Sequence, residues 1–388
     1  MSSHVSVAPS IEESIKAEGI RLGFSLVGIT PPKSPTSLPT YLDWLAKGHF
    51  GDMAWMATDR ARHYRQNPID ILPNCKSILI LAARYPLSWS PQPAQTGRIA
   101  GYARHTDYHN IFISALLQLS EFIQSLCGHS VSSKAYTDTG PILEREFAQR
   151  AGLGWIGKNS CLISPTHGSN LLLAELFLSV PLQPDKPFEY DRCGDCQRCI
   201  QACPTGCILP NRTIDAQRCL SYLTIENKAA IPENMTVMQS GWAFGCDICQ
   251  QVCPWNKQTM DLPPSPFFVN PNPEFIVLEA GIAMTDDEFA ITYAHTPVNR
   301  ARINGFRRNL VALAASAIPD DLTISLLIET LMNDPHPVVR QQTAISLVKR
   351  LGPACLAYLQ FAQEHEKDLT NRAELERLIQ LISGQPLG

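Results

Sequence analysis

The strongest chemical signal in this chain of 388 residues is the spacing of its 13 cysteines. Cys193, Cys196, Cys199 and Cys203 follow one another at intervals of three, three and four, and Pro204 closes the run. Three thiolates at that spacing wrap one corner of a cubane iron–sulfur cluster, while the fourth points away toward a second cluster. Cys246, Cys249 and Cys253-Pro254 repeat the pattern, with Ala243 where a first cysteine would stand. Cys219 is the spare thiol between the runs and supplies the missing ligand. The ligands then divide crosswise. Cys193, Cys196, Cys199 and Cys253 hold one 4Fe–4S cluster, and Cys203, Cys219, Cys246 and Cys249 hold the other. Structural zinc and disulfides are the alternatives. Zinc takes cysteines in pairs rather than in triplets closed by Cys-Pro, and a long chain without an export signal keeps its thiols reduced. Cys75, Cys127, Cys161, Cys207 and Cys355 read as small core residues.

Two clusters in one ferredoxin-like module pass electrons in single steps, which is useful only where an acceptor stands nearby. The long N-terminal part is the place for one, and its elements read as α/β. Ser10 to Glu13 is a capping box that opens a helix through about Leu22. Phe24–Ile29 and Ser77–Tyr85 read as strands. Ile111, Leu116, Leu117, Phe122 and Leu126 recur at helical spacing between Tyr108 and Leu126. Ala135–Thr137 reads as a strand ending at Asp138-Thr-Gly-Pro141, with a helix from Ile142 to Ala151 after it. Cys161–Ser164 and Leu171–Val180 read as a strand pair around a turn.

Proline-bearing stretches, Pro181–Asp191 and Leu262–Pro273, bracket the cysteine-rich part. Three domains are expected: residues 1–180 (α/β), 181–265 (ferredoxin-like) and 266–388 (helical). In the last, Pro297 with Arg300 and Pro337 with Arg340 precede apolar helices about forty residues apart, the layout of HEAT-type helix pairs; a plain helical bundle is the alternative. The fold class is therefore α+β and multidomain. A net charge of −4 rules out a general polycation, so any nucleic-acid contact needs a local basic surface. The apolar run Leu171–Val180 is interrupted by Glu175 and too short for a membrane span, and the first eight residues carry no secretory pattern. A cytoplasmic protein without a membrane partner is expected.

Longer stretches resemble the epoxyqueuosine reductase family. They are Tyr136-Thr-Asp-Thr-Gly-Pro-Ile-Leu-Glu-Arg145, Gly152-Leu-Gly-Trp-Ile-Gly-Lys-Asn159, the first cysteine run, Cys219-Leu-Ser-Tyr-Leu-Thr-Ile-Glu226, and Gly245-Cys-Asp-Ile-Cys-Gln-Gln-Val-Cys-Pro-Trp-Asn256. Ile99 to Arg104 and Asp107-Tyr-His109 match as well, although Gly101 stands where the family carries arginine or a similar residue. The resemblance implies reduction of the epoxide of a wobble-position tRNA nucleoside to an alkene, the last step of queuosine synthesis. It implies cobalamin in the N-terminal domain, reduced by the two clusters, and a helical C-terminal domain that helps hold the anticodon stem-loop.

The same resemblance singles out Asp138 as the proton donor. Expelling the epoxide oxygen as water needs protons as carbon–oxygen bonds break, and a carboxyl group supplies them near neutral pH if burial raises its pKa. Capping of the following helix is the bland role for this aspartate. Cobalamin contacts are implied for Arg65, Tyr102, Asp138, the Ile163–Ser164 strand, Ser221 and Asp247. Against these stand a surface charge for Arg65 and turn caps for Ser221 and Asp247. Between His295 and Arg350 there are seven Lys/Arg against four Asp/Glu, and Arg300, Arg302, Arg307 and Arg308 cluster ahead of a helix where they could neutralise phosphates. A monomer fed by an unidentified electron donor completes the expectation. A reductive-dehalogenase-like enzyme acting on small molecules and a non-catalytic tRNA-binding iron–sulfur scaffold are the competing functions.

Overall fold

A computed structural model describes residues 9–236, 240–269, 271–316 and 321–384. Residues 1–8, read above for a secretory signal, lie outside them. Nine short strands occur along the described residues: β1 Leu26–Thr30, β2 Ser77–Arg84, β3 Thr96–Ile99, β4 Ser133–Tyr136, β5 Trp155–Ile156, β6 Leu162–Ile163, β7 Leu171–Leu178, β8 Trp242–Phe244 and β9 Phe275–Val277.

β1, β2, β7 and β4 form one sheet in that order, antiparallel at every pairing. The N-terminal part is thus a helix-covered antiparallel sheet rather than a wound parallel one. β2 is buried at all its positions, as a central strand covered on both faces must be. On one face, Leu79, Leu81, Leu176 and Leu178 pack against Ile15 and against Phe112, Leu116 and Leu119. These come from the helices Ile11–Arg21 and Tyr108–Cys127. The first helix opens on the expected capping box, Ser10 Oγ accepting from Glu13 N while Glu13 Oε2 accepts from Ser10 N at 2.8 Å. The second is long and apolar enough to span a membrane, yet it serves as a core helix here. On the opposite face, Ile78, Ile80 and Phe177 pack against Phe147 and Ala148 of the helix Glu144–Arg150.

The expected strand pair around residues 165–170 does not form. β6 pairs with β5, Trp155 opposite Ile163, whereas β7 lies between β2 and β4. An almost wholly apolar eight-residue strand gains more by pairing on both edges inside a sheet than at the edge of a hairpin.

A three-stranded sheet, β8-β3-β9, joins the parts of the chain. Its strands come from the three expected domains, and Ile99, Ala243 and Phe244 enter the same core as Phe306, Leu310 and Leu313 of the helix Arg302–Ala314. Further helices follow, Asp321–Asn333, Pro337–Leu351, Leu356–His365 and Leu369–Ser383, and their apolar faces extend that core.

Arg308 locks this assembly. Only 1 % exposed, it donates through Nη1 to the carbonyls of Asn227 and Ala229 and through Nη2 to the Leu223 carbonyl at 2.8 Å. Asn309 beside it donates to Thr224 and Ala243. Together they satisfy the end of the helix Leu220–Ile225, the element that follows Cys219. Truncating Arg308 leaves buried carbonyls unpaired at about 1–3 kcal/mol each. Arg308→Ala should therefore lower the urea unfolding midpoint, by about 3 kcal/mol of stability or more, while the exposed Arg302→Ala leaves it unchanged.

Candidate functional site

The cysteine-rich part contains only short helices, such as Arg198–Ala202, Ile248–Gln251 and Pro254–Lys257, and it borrows its rigidity from neighbours. Cys193, Cys196, Cys199 and Cys253 together line one cavity with Lys158, Ile163 and Trp255. Trp155 closes it, its Nε1 donating to Cys193 Sγ at 3.4 Å. Burial pushes the Cys253 thiol up to about 11, so gathering these groups as thiolates needs a compensating positive centre. The thiols of Cys203, Cys219, Cys246 and Cys249 form a second group, each within electrostatic reach of others in it. Both donor sets suit an iron–sulfur cluster, which binds four thiolates and neutralises their repulsion. Two cysteines read as ordinary core belong to this neighbourhood: Cys207 Sγ lies 3.4 Å from Cys203 Sγ, and Cys161 hydrogen-bonds to Cys249.

Asp138 follows β4 and has φ +57°, a left-handed conformation that is uncommon for any residue but glycine. Thr139 N donates back to Thr137 O at 2.6 Å, making a three-residue turn with Asp138 at its apex. Such strain persists only where surroundings impose it, and it gathers at functional sites. Here Glu144 imposes it, accepting from Asp138 N at 3.0 Å. The carboxylate of Asp138 stays open to solvent, with 67 % of the side chain exposed, yet it is ringed by polar groups. Tyr108 donates to Oδ2 at 3.2 Å, and His109 Nε2 lies 3.6 Å from the same oxygen. His109 Nδ1 is 2.6 Å from Asp107 Oδ1, so the imidazole is held between two aspartates.

This surrounding reverses the expected pKa of Asp138. The protein walls around this solvent-facing carboxylate thin its hydration and pull it upward, but the hydrogen bond and charge of His109, then the Tyr108 hydrogen bond, outweigh that and hold it below its ordinary value. Burial likewise lowers His109, and its hydrogen bonds to Asp107 and Asp138 overcome this and lift it to about 9. At neutral pH the proton of this pair therefore resides on His109.

The residues singled out as cofactor contacts fall into two places. Tyr102 lies within the fields of both Asp138 and Asp247, and its ring packs edge-on against Tyr108 and Tyr85. Asp247, 2 % exposed, accepts from Gly101 N at 2.8 Å. A side chain at Gly101 would collide with the Pro86 carbonyl, which is why glycine suits that position. Burial raises Asp247 to about 6. Ser221 adjoins Cys219, whose sulfur accepts from its backbone N–H. Arg65 is 5 % exposed, its Nε lacks a partner among the described residues, and it faces Glu144, so it is no surface charge. Ile163 is placed apart from these, its side chain lining the first thiol cavity.

The arginine cluster is corrected in part. Arg308 is buried, as described above, and Arg307 pairs with the fully buried side chain of Asp334 at 2.6 Å and donates to the Ile282 carbonyl. Both are consumed by packing, because a desolvated guanidinium needs its partners. Arg300, paired with Glu226, and Arg302 remain at the surface.

Glu144 and Glu175 received no role from the sequence. The available signal was Glu175 itself, a carboxylate inside an apolar strand.

The chain matches two family models, "Epoxyqueuosine reductase QueG, DUF1730" over residues 65–139 and "4Fe-4S double cluster binding domain" over residues 192–256. It is 34% identical over 364 residues to an epoxyqueuosine reductase of Escherichia coli (strain K12), covering 91% of this chain and 94% of that one. A crystal structure of an epoxyqueuosine reductase with an epoxyqueuosine-modified tRNA-Tyr stem loop superposes with a TM-score of 0.86 at 29% identity, covering 96% of this chain and 99% of that one. The Bacillus subtilis epoxyqueuosine reductase, with its catalytic loop swung out of the active site, gives 0.85 at the same identity and coverages.

Because folding raises the His109 pKa, its stabilising contribution is complete below about pH 6.5 and is lost as pH rises through about 9. Titration of the imidazole by NMR should show that raised value in the wild type and a fall toward the ordinary one in Asp138→Asn.

Proposed function

Since the chain belongs to the epoxyqueuosine reductase family, an oxidoreductase family, we propose that it reduces the epoxide of epoxyqueuosine at the wobble position of tRNA to the alkene of queuosine. The observation that carries this reading is the strained Asp138 turn, joined through Tyr102 and Asp247 to the second thiol group. Acid chemistry and electron supply thus meet in one place.

The labour divides among the three expected segments. Residues 1–180 hold cobalamin and the reacting nucleoside, residues 181–265 hold two 4Fe–4S clusters on the eight named cysteines, and residues 266–388, read as HEAT-like helix pairs, take part in holding the anticodon stem-loop. Arg65, whose buried Nε has no partner among the described residues, Tyr102, Ser221 and Asp247 suit a large polar cofactor between Asp138 and the second thiol group. When bound, cobalamin supplies a strongly reducing centre and the clusters supply it with single electrons.

The protein's own groups do the rest. Glu144 and Tyr108 fix the Asp138 carboxylate at the apex of its turn. His109, steadied by Asp107, holds a proton that passes through Asp138 to the leaving oxygen as the carbon–oxygen bonds break. Asp138 itself can also contact the cofactor. Arg300 and Arg302 are the surface cations placed to meet phosphates. The reading includes a cytoplasmic monomer served by a separate electron donor.

Nucleoside mass spectrometry tests the reaction. Reconstituted anaerobically with cobalamin and a strong reductant, the wild type should convert epoxyqueuosine in tRNA to queuosine, and Asp138→Ala should be slower by about 10²-fold or more. Equal rates would remove Asp138 as the donor, and no conversion by loaded wild type would sink the reading. Cys219→Ala should retain roughly half of the iron, with the loss confined to one cluster's spectrum.

A further inference from the structure

Turning an epoxide into an alkene and water consumes two electrons and two protons. The electrons come from the iron–sulfur part, and the His109–Asp138 pair holds one proton. A second must reach the oxygen before water leaves. We propose that Glu144 and Glu175 share a proton and form the store from which that second proton is drawn, an inference that rests on the function proposed above.

Glu175 lies in the middle of β7, opposite Ile80 of β2 and Tyr136 of β4, so it projects with Phe177 toward the helix Glu144–Arg150. It is 0 % exposed, and no donor among the described residues reaches either of its carboxyl oxygens. The group it adjoins is the carboxyl of Glu144. Two carboxylates that meet in a buried site cannot both stay ionised, and a shared proton turns their repulsion into a hydrogen bond. A purely structural residue here would be served as well by leucine or glutamine.

Glu144 connects this pair to the reacting groups, since one of its oxygens holds the backbone N–H of Asp138 at 3.0 Å. Glu144 is half-buried while Glu175 is sealed behind it. The charged groups facing Glu144 are Asp138, Arg145 and Arg65, and those facing Glu175 are Glu144 and Asp138. His109 and Tyr108 both meet the Asp138 carboxylate, and Tyr108 also lies within the field of Glu144. Cations therefore reach only the outer carboxyl, leaving the inner one without compensation. Burial and the nearby Asp138 charge push Glu144 up to about 8, and burial with Glu144 pushes Glu175 well above the usual carboxylate range. The pair thus keeps its proton at neutral pH, where Asp138 has none of its own. After Asp138 has passed on the His109 proton, Glu144 delivers the next to the same oxygen, Glu175 retains the negative charge sharing with it, and solvent refills the pair.

The test uses full-length loaded enzyme and two readouts. Infrared spectra of the wild type at neutral pH should contain the carbonyl band of a buried protonated carboxyl group, absent from Glu175→Gln and shifted in frequency in Glu144→Gln, where buried Glu175 keeps its proton but loses the carboxylate that shares it. Single-turnover conversion of epoxyqueuosine in tRNA, followed across pH with a chemical reductant, should show the alkaline limb moved down by about one pH unit or more in Glu175→Gln, with KM unchanged. A merely structural role would lower the rate at every pH alike. Loss of the band with an unmoved alkaline limb overturns the proton store, and a band that is absent from the wild type, or unshifted in both variants, overturns the shared proton. If Glu175→Gln does not fold, Glu144→Gln decides by the same criteria. Failure of the wild type to convert substrate would count against the proposed function, and the infrared band would still judge the shared proton separately.

Discussion

Thiolates repel one another, and a segment that packs nine cysteines between Cys193 and Cys253 cannot build a hydrophobic core of its own. That constraint shapes the molecule. The helices between the cysteines are four to six residues long, far below the length at which a helix is stable alone. Each is therefore held from outside. Arg308 and Asn309 grip the helix after Cys219. Asn256, behind Cys253, donates to Ser169 Oγ and the Gln250 carbonyl, and Trp155 covers Cys193. The N-terminal sheet and the C-terminal helices act as two jaws, and β8-β3-β9 is the seam where they meet.

Holding the cysteine-rich part so firmly also fixes its distance from the reacting groups. Asp247, between two cysteines, is tied to Gly101 in the segment that carries Tyr102, and the next helix brings Tyr108 and His109 to Asp138. One continuous stretch, residues 99–109, therefore touches both the cysteine-rich part and the Asp138 turn.

Around Asp138 the electrostatics are arranged by opposing effects. Desolvation favours neutral carboxyl groups, and a cation beside them favours ionised ones. Asp138 has His109 beside it and is held below its ordinary value; Glu175 has no cation in reach and burial pushes it up; Glu144, reached by Arg145 and Arg65, is still pushed up to about 8 by burial and the Asp138 charge. Three neighbouring acids are thus shifted apart, Asp138 downward and the two glutamates upward, by which groups each can reach.

Much of this was legible in the residues. The cysteine spacing pointed to cluster chemistry, since ligands two residues apart converge whatever surrounds them. Ser10 and Glu13 announced a helix start, and the apolar period between Tyr108 and Leu126 announced its helix, because both depend on neighbours close in the chain. The pairing of β7 with β2 and β4, the burial of Arg307 and Arg308, and the meeting of Glu144 with Glu175 were decided only by tertiary structure. A charged side chain carries no mark of whether water or protein will surround it, and its pKa and role follow from partners distant in sequence. The sequence alone therefore determined the types of chemistry present, through local spacing, while the fold decided which proton sits where, because desolvation and charge act through space.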